Sequence, residues 1–184
     1  KKKTDIIHCH DWHTALIPIY LKEHYQNSSL AKAKTILTIH NMAHQGMFPR
    51  NRYPKLNLPA TYNSPQYLEY FNQINFLKGG IVVSDKVTTV SKQYAKEILT
   101  KEFGCGLEGV LKARRAPVVG IVNGINHEVW NPAADPKIAQ TYTKEEVTIG
   151  KTANKAKLQQ LVKLPQRDDV PLFAFVSRLV HQKG

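Results

Sequence analysis

The sequence predicts an α/β fold in which parallel strands alternate with helices. Three observations carry that reading. Runs rich in β-branched or aromatic residues recur at 6–9, 35–39, 85–90, 118–122 and 172–176, each of strand length. Between several of them apolar residues return at helical spacing. The runs also end in polar residues, at His10-Asp11, His40-Asn41, Ser91, Asn123-Gly124 and Ser177-Arg178. Polar strand ends are expected where the carboxyl edge of an open sheet carries a ligand site. Repeated strand–helix units imply right-handed crossovers and a doubly wound sheet.

The densest stretch comes first. Ile6-Ile7 runs into His8-Cys9-His10-Asp11-Trp12-His13, with three histidines, an acid, a thiol and an indole in a row. Such groups need partners if they are buried. On a strand His8 and His10 share one face and Cys9 takes the other, while His13 belongs to the next element. All four are possible metal ligands, but this spacing makes no tidy four-ligand set and no metal is assigned. The plain structural reading is a group of hydrogen-bonded histidines beneath a helix N-terminus, with Asp11 as N-cap.

Thr14–Tyr25 follows as a helix that Pro18 should kink. Gln26-Asn27-Ser28-Ser29 is a turn, and 35–39 is the second strand. Residues 42–65 hold Gly46, Pro49, Pro54, Pro59 and Pro65. They read as a long irregular loop, a feature that is often functional in a compact domain. From Tyr67 to Lys78, Leu68, Phe71, Ile74 and Leu77 recur at helical spacing. Ile81-Val82-Val83 is a strand by propensity or the end of that helix. The third strand, 85–90, leads to a helix capped by Ser91 and running to Leu99. Gly104, Gly106 and Gly109 mark a bend before a short helix, Val110–Arg115. Pro117 breaks the pattern, 118–122 is a strand, and 131–136 is a loop. Lys151–Lys163 is a basic helix with a solvated face, and 172–176 is the last strand. The domain break is expected around Arg115–Pro117. The first three polar strand ends then lie on one sheet and the last two on another, giving two facing crevice walls.

Composition bounds the function. With 42% hydrophobic and 22% charged residues the chain can bury a core. No apolar run reaches membrane-spanning length, so no membrane partner is expected. Two cysteines, Cys9 and Cys105, make no disulfide framework and fit a reduced cytoplasmic setting. Lys and Arg number 26 against 14 Asp and Glu, a net charge of +12, which favours an anionic partner. The lysines are scattered without an aromatic-interleaved stripe, so nucleic acid is not indicated. Lys1-Lys2-Lys3 leads straight into a strand, and Ser177–Gly184 stops where a crossover helix should begin. We expect an internal piece of a larger protein.

Six stretches then match a family: DIIHCHDWHTALIPIYL, TIHNMAHQGMFP, FLKGGIVVSDKVTTVSKQYAKEI, GLEGVL, GIVNGINHEVWNPAADP and PLFAFVSRLVHQKG. In that order they cover nearly the whole chain. The chain resembles bacterial glycogen synthases and plant starch synthases, retaining glucosyltransferases of the GT-B fold. The resemblance implies two Rossmann-like domains. Residues 1–116 would end the acceptor-side domain and 117–184 would open the nucleotide-sugar-binding one. It also implies that Ile81–Val83 continue a helix. The family's N-terminal Lys-Thr-Gly-Gly-Leu loop and its C-terminal acidic, glycine-rich motif are not in this sequence, and the piece alone is expected to be inactive.

Site residues carried over from the resemblance are Asp11 and His40 as catalytic groups in the glucosyl pocket. Asn41 and Asn123 are polar contacts to sugar hydroxyls, and Arg178 and Lys183 hold the diphosphate. The implied substrates are ADP-glucose and the non-reducing end of an α-1,4-glucan. The chemistry fits: the leaving diphosphate gains negative charge that Arg and Lys neutralise, and no cofactor or divalent metal is then required. UDP-glucose as donor, or a non-catalytic module that holds glucan or a polyanion, are the alternatives. Location would be cytoplasmic in a bacterium or plastid in a plant. His24, His44, His127 and His181 read as surface or structural histidines. Trp12 and Trp130 read as packing anchors, and Glu108 as a helix-capping acid.

Overall fold

The computed structural model describes residues 3–180 together with Lys183 and Gly184; His181 lies outside the described residues. The chain forms two compact units, Lys1–Asn123 and Gly124–Gly184.

The first unit holds β1 (Ile6–His10), α1 (Asp11–Thr14), α2 (Ile17–His24), β2 (Lys34–Ile39), β3 (Met47–Pro49), β4 (Glu69–Tyr70), β5 (Gln73–Asn75), α3 (Phe76–Val83), β6 (Lys86–Thr89), α4 (Tyr94–Glu97), α5 (Glu108–Lys112) and β7 (Val119–Gly120). A parallel sheet runs β1-β2-β6-β7, and a small antiparallel sheet runs β3-β5-β4. The expected parallel α/β order is therefore present.

Several local expectations change. The helix expected from Thr14 is broken into α1 and α2. Pro18 sits in the first turn of α2, where its missing N–H costs nothing, so a new helix starts there. The helix expected over Tyr67–Lys78 is instead a hairpin followed by α3. Phe71 and Asn72 both have positive φ, 47° and 60°, the geometry of a two-residue turn whose twist suits paired strands. Leu68 and Ile74 are buried all the same, while Phe71 is 81% exposed. The strand at 118–122 shrinks to β7 and joins β6 in the first sheet rather than opening a second. The break expected at 116/117 therefore falls inside the first unit. As the resemblance implied, Ile81–Val83 belong to α3.

Two apolar clusters hold this unit. Leu37, Ile39, Val87 and Cys9 of the sheet pack with Leu77 and Ile81 of α3 and with Ile98, Leu107 and Leu111. Ile19 of α2 meets Tyr53, Tyr62, Leu68, Ile74 and Val83. α3 joins both. Its start is capped by Asn75, whose side chain accepts from Lys78 N at 2.9 Å. Its end is closed by Arg114, which donates to the carbonyls of Ile81, Ser84 and Asp85. Helix α3 lies so close to the α1–α2 junction that a Cβ on Gly80 would stand 2.8 Å from the Ala15 carbonyl oxygen. Lys78 is 5% exposed, and its ammonium donates to the carbonyls of Pro65 and Glu69. Burial lowers its pKa, partly countered by Glu69.

Among the described residues the second unit has one helix, α6 (Val147–Leu161), where Lys151–Lys163 was expected. Asn154 ties this helix to its loop, accepting from Ala139 N at 2.8 Å and Gln140 N at 3.1 Å and donating to Gln140 O at 2.7 Å. The strand expected at 172–176 is not formed; Phe173 is 89% exposed and Val176 97%. A strand needs a neighbour to receive its backbone hydrogen bonds, and the described residues of this unit contain no other strand. Trp130, read as a packing anchor, is exposed.

Candidate active site

The sheet places its polar groups by register. β1 and β2 run parallel with His10 opposite Thr38, so the residues that follow each strand leave at the same edge. Asp11 follows β1 and His40 follows β2. Asp11 has φ 52°, a left-handed conformation that Asp tolerates better than most residues. It is the first residue of α1 rather than its N-cap. Its carboxylate instead accepts from the backbone N–H of His40 at 2.7 Å, joining the two strand ends.

The histidines sort themselves around this link. His10 Nδ1 lies 3.0 Å from His40 Nε2. The His10 backbone is bracketed by Thr14, whose hydroxyl accepts from His10 N at 2.6 Å and donates to His10 O at 2.8 Å. The His8 ring lies 4.3 Å from that of His10, and His8 Nε2 is 2.6 Å from Thr38 Oγ1. Thr38 in turn shares a 2.7 Å hydroxyl contact with Thr88 of β6. Partial burial lowers the pKa of His8, and the nearby His10 and His40 rings lower it further. Cys9, on the other face of β1, is fully buried in the core. Burial pushes its thiol up despite a hydrogen bond with Thr14. That separation of faces keeps Cys9 away from the histidines. Among the described residues no group of three or more His, Cys, Asp or Glu side chains is placed to hold a metal ion.

Asn41 is half-buried beside His40, its Oδ1 accepting from Ala43 N at 3.0 Å. Met42 N then donates to the Tyr94 hydroxyl at 3.1 Å. Trp12 supports the same edge from below. It stacks on His13 and touches Phe48, which meets Phe76. Gly46, at φ 62°, lets the chain pass against the indole; a Cβ there would come within 2.4 Å of it.

Of the residues singled out from the sequence, Asp11, His40 and Asn41 gather at the carboxyl edge of β1 and β2. Asn123 is exposed, three residues past β7, after Ile121 N has donated to Thr89 O at 2.8 Å. Arg178 and Lys183 are exposed in the second unit, and Val180 N donates to Arg178 O. No strand precedes Arg178, contrary to expectation. Sequence reasoning missed the specific His10–His40 contact and the Thr38–Thr88 link. The signal available was a threonine at matching depth in two β-rich runs.

Comparison with known proteins gives a consistent picture. Residues 1–113 match a family described as the starch synthase catalytic domain. The whole chain is 44% identical to the glycogen synthase of Francisella tularensis subsp. novicida strain U112 and covers 38% of it. The same figures hold for the glycogen synthase of F. tularensis subsp. tularensis strain WY96-3418. Among solved structures, the catalytic domain of starch synthase IV from Arabidopsis thaliana, bound to ADP and acarbose, matches with a TM-score of 0.78. Sequence identity is 35%, over 91% of this chain and 35% of that one. The chain thus spans well under half the length of these relatives.

Proposed function

The chain belongs to the starch synthase catalytic-domain family, and from that premise we propose that it is part of a retaining glucosyltransferase. The protein moves glucose from ADP-glucose to the non-reducing end of an α-1,4-glucan. The observation that carries this reading is the Asp11–His40 link, which sets a carboxylate and an imidazole at one sheet edge. A relative that holds ADP and acarbose supports an adenine-nucleotide donor.

In this reading the bond from the glucosyl C1 to the diphosphate breaks as a bond to the glucan hydroxyl oxygen forms on the same face, and the hydroxyl proton passes to the departing diphosphate. Positive charge develops at C1 and negative charge on the departing diphosphate. Asp11 stabilises the first through its carboxylate, and His40 contacts the glucosyl unit beside it. Arg178 and Lys183 neutralise the second, Arg through a planar fork and Lys as a point charge. Asn41 and Asn123 bind sugar hydroxyls. The first unit serves the acceptor side, and the region carrying Arg178 and Lys183 serves the donor. Two cations at the leaving group make a resident metal or cofactor unnecessary. No helix among the described residues is long and apolar enough to cross a membrane. A cytoplasmic location in a bacterium, or a plastid one in a plant, fits the reaction.

The product of the complete open reading frame is assayed with ADP-[14C]glucose or UDP-[14C]glucose and glycogen. Incorporation from ADP-glucose as α-linked product is expected. Incorporation from UDP-glucose alone would replace the donor assignment, and none from either would overturn the enzyme reading. His40→Ala is expected to lower kcat and kcat/KM together, as for an interaction made mainly in the transition state.

A further inference from the structure

We propose that His10 is a positioning residue that holds His40 in a single tautomer for the sugar; the role at the sugar rests on the glucosyl-transfer reading above. The geometry starts with the two ring nitrogens 3.0 Å apart, His10 Nδ1 and His40 Nε2. At that distance one hydrogen lies between them, because two bare lone pairs or two N–H groups would repel. The states of the rings are therefore complementary. When His40 donates from Nε2, both rings are in the Nε2–H form that neutral histidine favours and His40 Nδ1 is an acceptor; the reverse would need both rings in the less favoured Nδ1–H form. His40 Nδ1 has no partner among the described residues and is the nitrogen left for substrate.

His10 is built to do this. Its backbone is clamped on both sides by the Thr14 hydroxyl. Its ring leans on His8, and His8 is anchored through Thr38 to Thr88 in β6. His40 is held independently at its backbone by Asp11. With the backbone fixed by Asp11 and the ring by His10, His40 has one orientation. The outer partner of a functional histidine commonly sets which nitrogen bears the proton.

The direct test is 15N NMR of the histidine rings in the complete open-reading-frame product, labelled at histidine, with His10→Ala and His10→Asn. Asparagine sets its Oδ1 near the Nδ1 position, where it can accept from His40 Nε2 as His10 does. The wild type is expected to show one dominant His40 tautomer, His10→Ala a mixture, and His10→Asn a return to one form. His10 is exposed, so neither change should unfold the sheet. A mixed His40 in the wild type, or a single tautomer that survives in His10→Ala, would overturn the proposal. In the complete open-reading-frame product, His10→Ala should lower kcat roughly three- to tenfold, the worth of one net hydrogen bond. Donor KM should hardly change and His10→Asn should restore part of the loss. Equal kcat in the wild type and His10→Ala would refute the role at the sugar. The NMR readout does not depend on turnover, so failure of the glucosyl-transfer assay leaves the tautomer result to be judged separately.

Discussion

Replacing Asp11 by Asn removes a charge and little else, which makes it the sharpest probe of this site. Asn keeps an oxygen where Asp11 Oδ1 accepts from His40 N at 2.7 Å. Asn also tolerates the φ of 52° found there. The structural loss is the difference between a charge-assisted and a neutral hydrogen bond, about 1 kcal/mol. Asp11→Ala loses the bond altogether and adds strain at positive φ, for a total of about 2–3 kcal/mol. Activity should respond on a different scale. A preorganised group aimed at charge that develops in the transition state contributes about 2.7–4 kcal/mol, or roughly 10²–10³ in kcat. Urea unfolding of each variant and kcat with ADP-glucose and glycogen separate the two scales. Asp11→Asn is expected to unfold nearly like the wild type yet turn over at least a hundredfold more slowly, by the same comparison. Near-normal kcat in Asp11→Asn would show that the carboxylate only ties the strand ends together.

Other outcomes follow from the same structure. Gly80→Ala should destabilise by about 1–3 kcal/mol by overpacking against the Ala15 backbone. Gly109→Ala, in α5 with no atom within 4 Å of its new Cβ, should stabilise by about 0.5–1 kcal/mol; urea midpoints with the same sign at both sites would refute the packing account. Stability should fall as pH drops below the ordinary histidine value of 6.5. The His8 value is lowered in the fold, so the unfolded chain takes up the proton first and stability present above 6.5 is lost through the lowered value. His8→Gln should flatten that decline in urea midpoints between about pH 7.5 and 5.5. Asp85 acts only in stronger acid. Burial raises its carboxyl, but hydrogen bonds from Thr35 and the charge of Lys34 more than offset that and leave it lowered. Its stabilisation is present above 3.8 and lost below. Arg178→Lys should lower kcat/KM for the donor roughly ten- to a hundredfold, the worth of one charged hydrogen bond, while acceptor KM stays put. EDTA should leave wild-type rates unchanged, and a rate abolished by EDTA and restored by one divalent ion would reopen metal binding at His8, His10 and His13.

The parallel order was legible because β-branched runs such as 35–39 and 86–89 need little context to be strands. The site's edge was legible too, since polar residues crowd the ends of those same runs. Helical spacing misled at Tyr67–Lys78. Leu68 and Ile74 satisfy either period, and the deciding fact is a pair of positive φ angles at Phe71 and Asn72, carried without glycine. The strand expected at 172–176 has the right composition, but composition cannot provide a hydrogen-bonding neighbour. At the site, Asp11 was readable as an acid near a helix start. That its carboxylate reaches His40 across 29 positions depends on register, and no local pattern encodes register.

The Thr38–Thr88 contact bears on that register. The two strands are separated by fifty positions in sequence, and parallel pairing has no hairpin to align it. A slip of one residue would set Thr38 opposite Val87 or Thr89 and leave two hydroxyls dry, at about 1–3 kcal/mol each. On its other side the Thr38 hydroxyl meets His8 Nε2 of β1 at 2.6 Å, and a one-residue slip between β1 and β2 would shift His40 by about 3.3 Å relative to Asp11 and His10. Thr38 thus acts as a key for assembly: its hydroxyl mates with Thr88 on one side and His8 on the other, and the alignment that satisfies both sets the His40 imidazole beside Asp11 and His10.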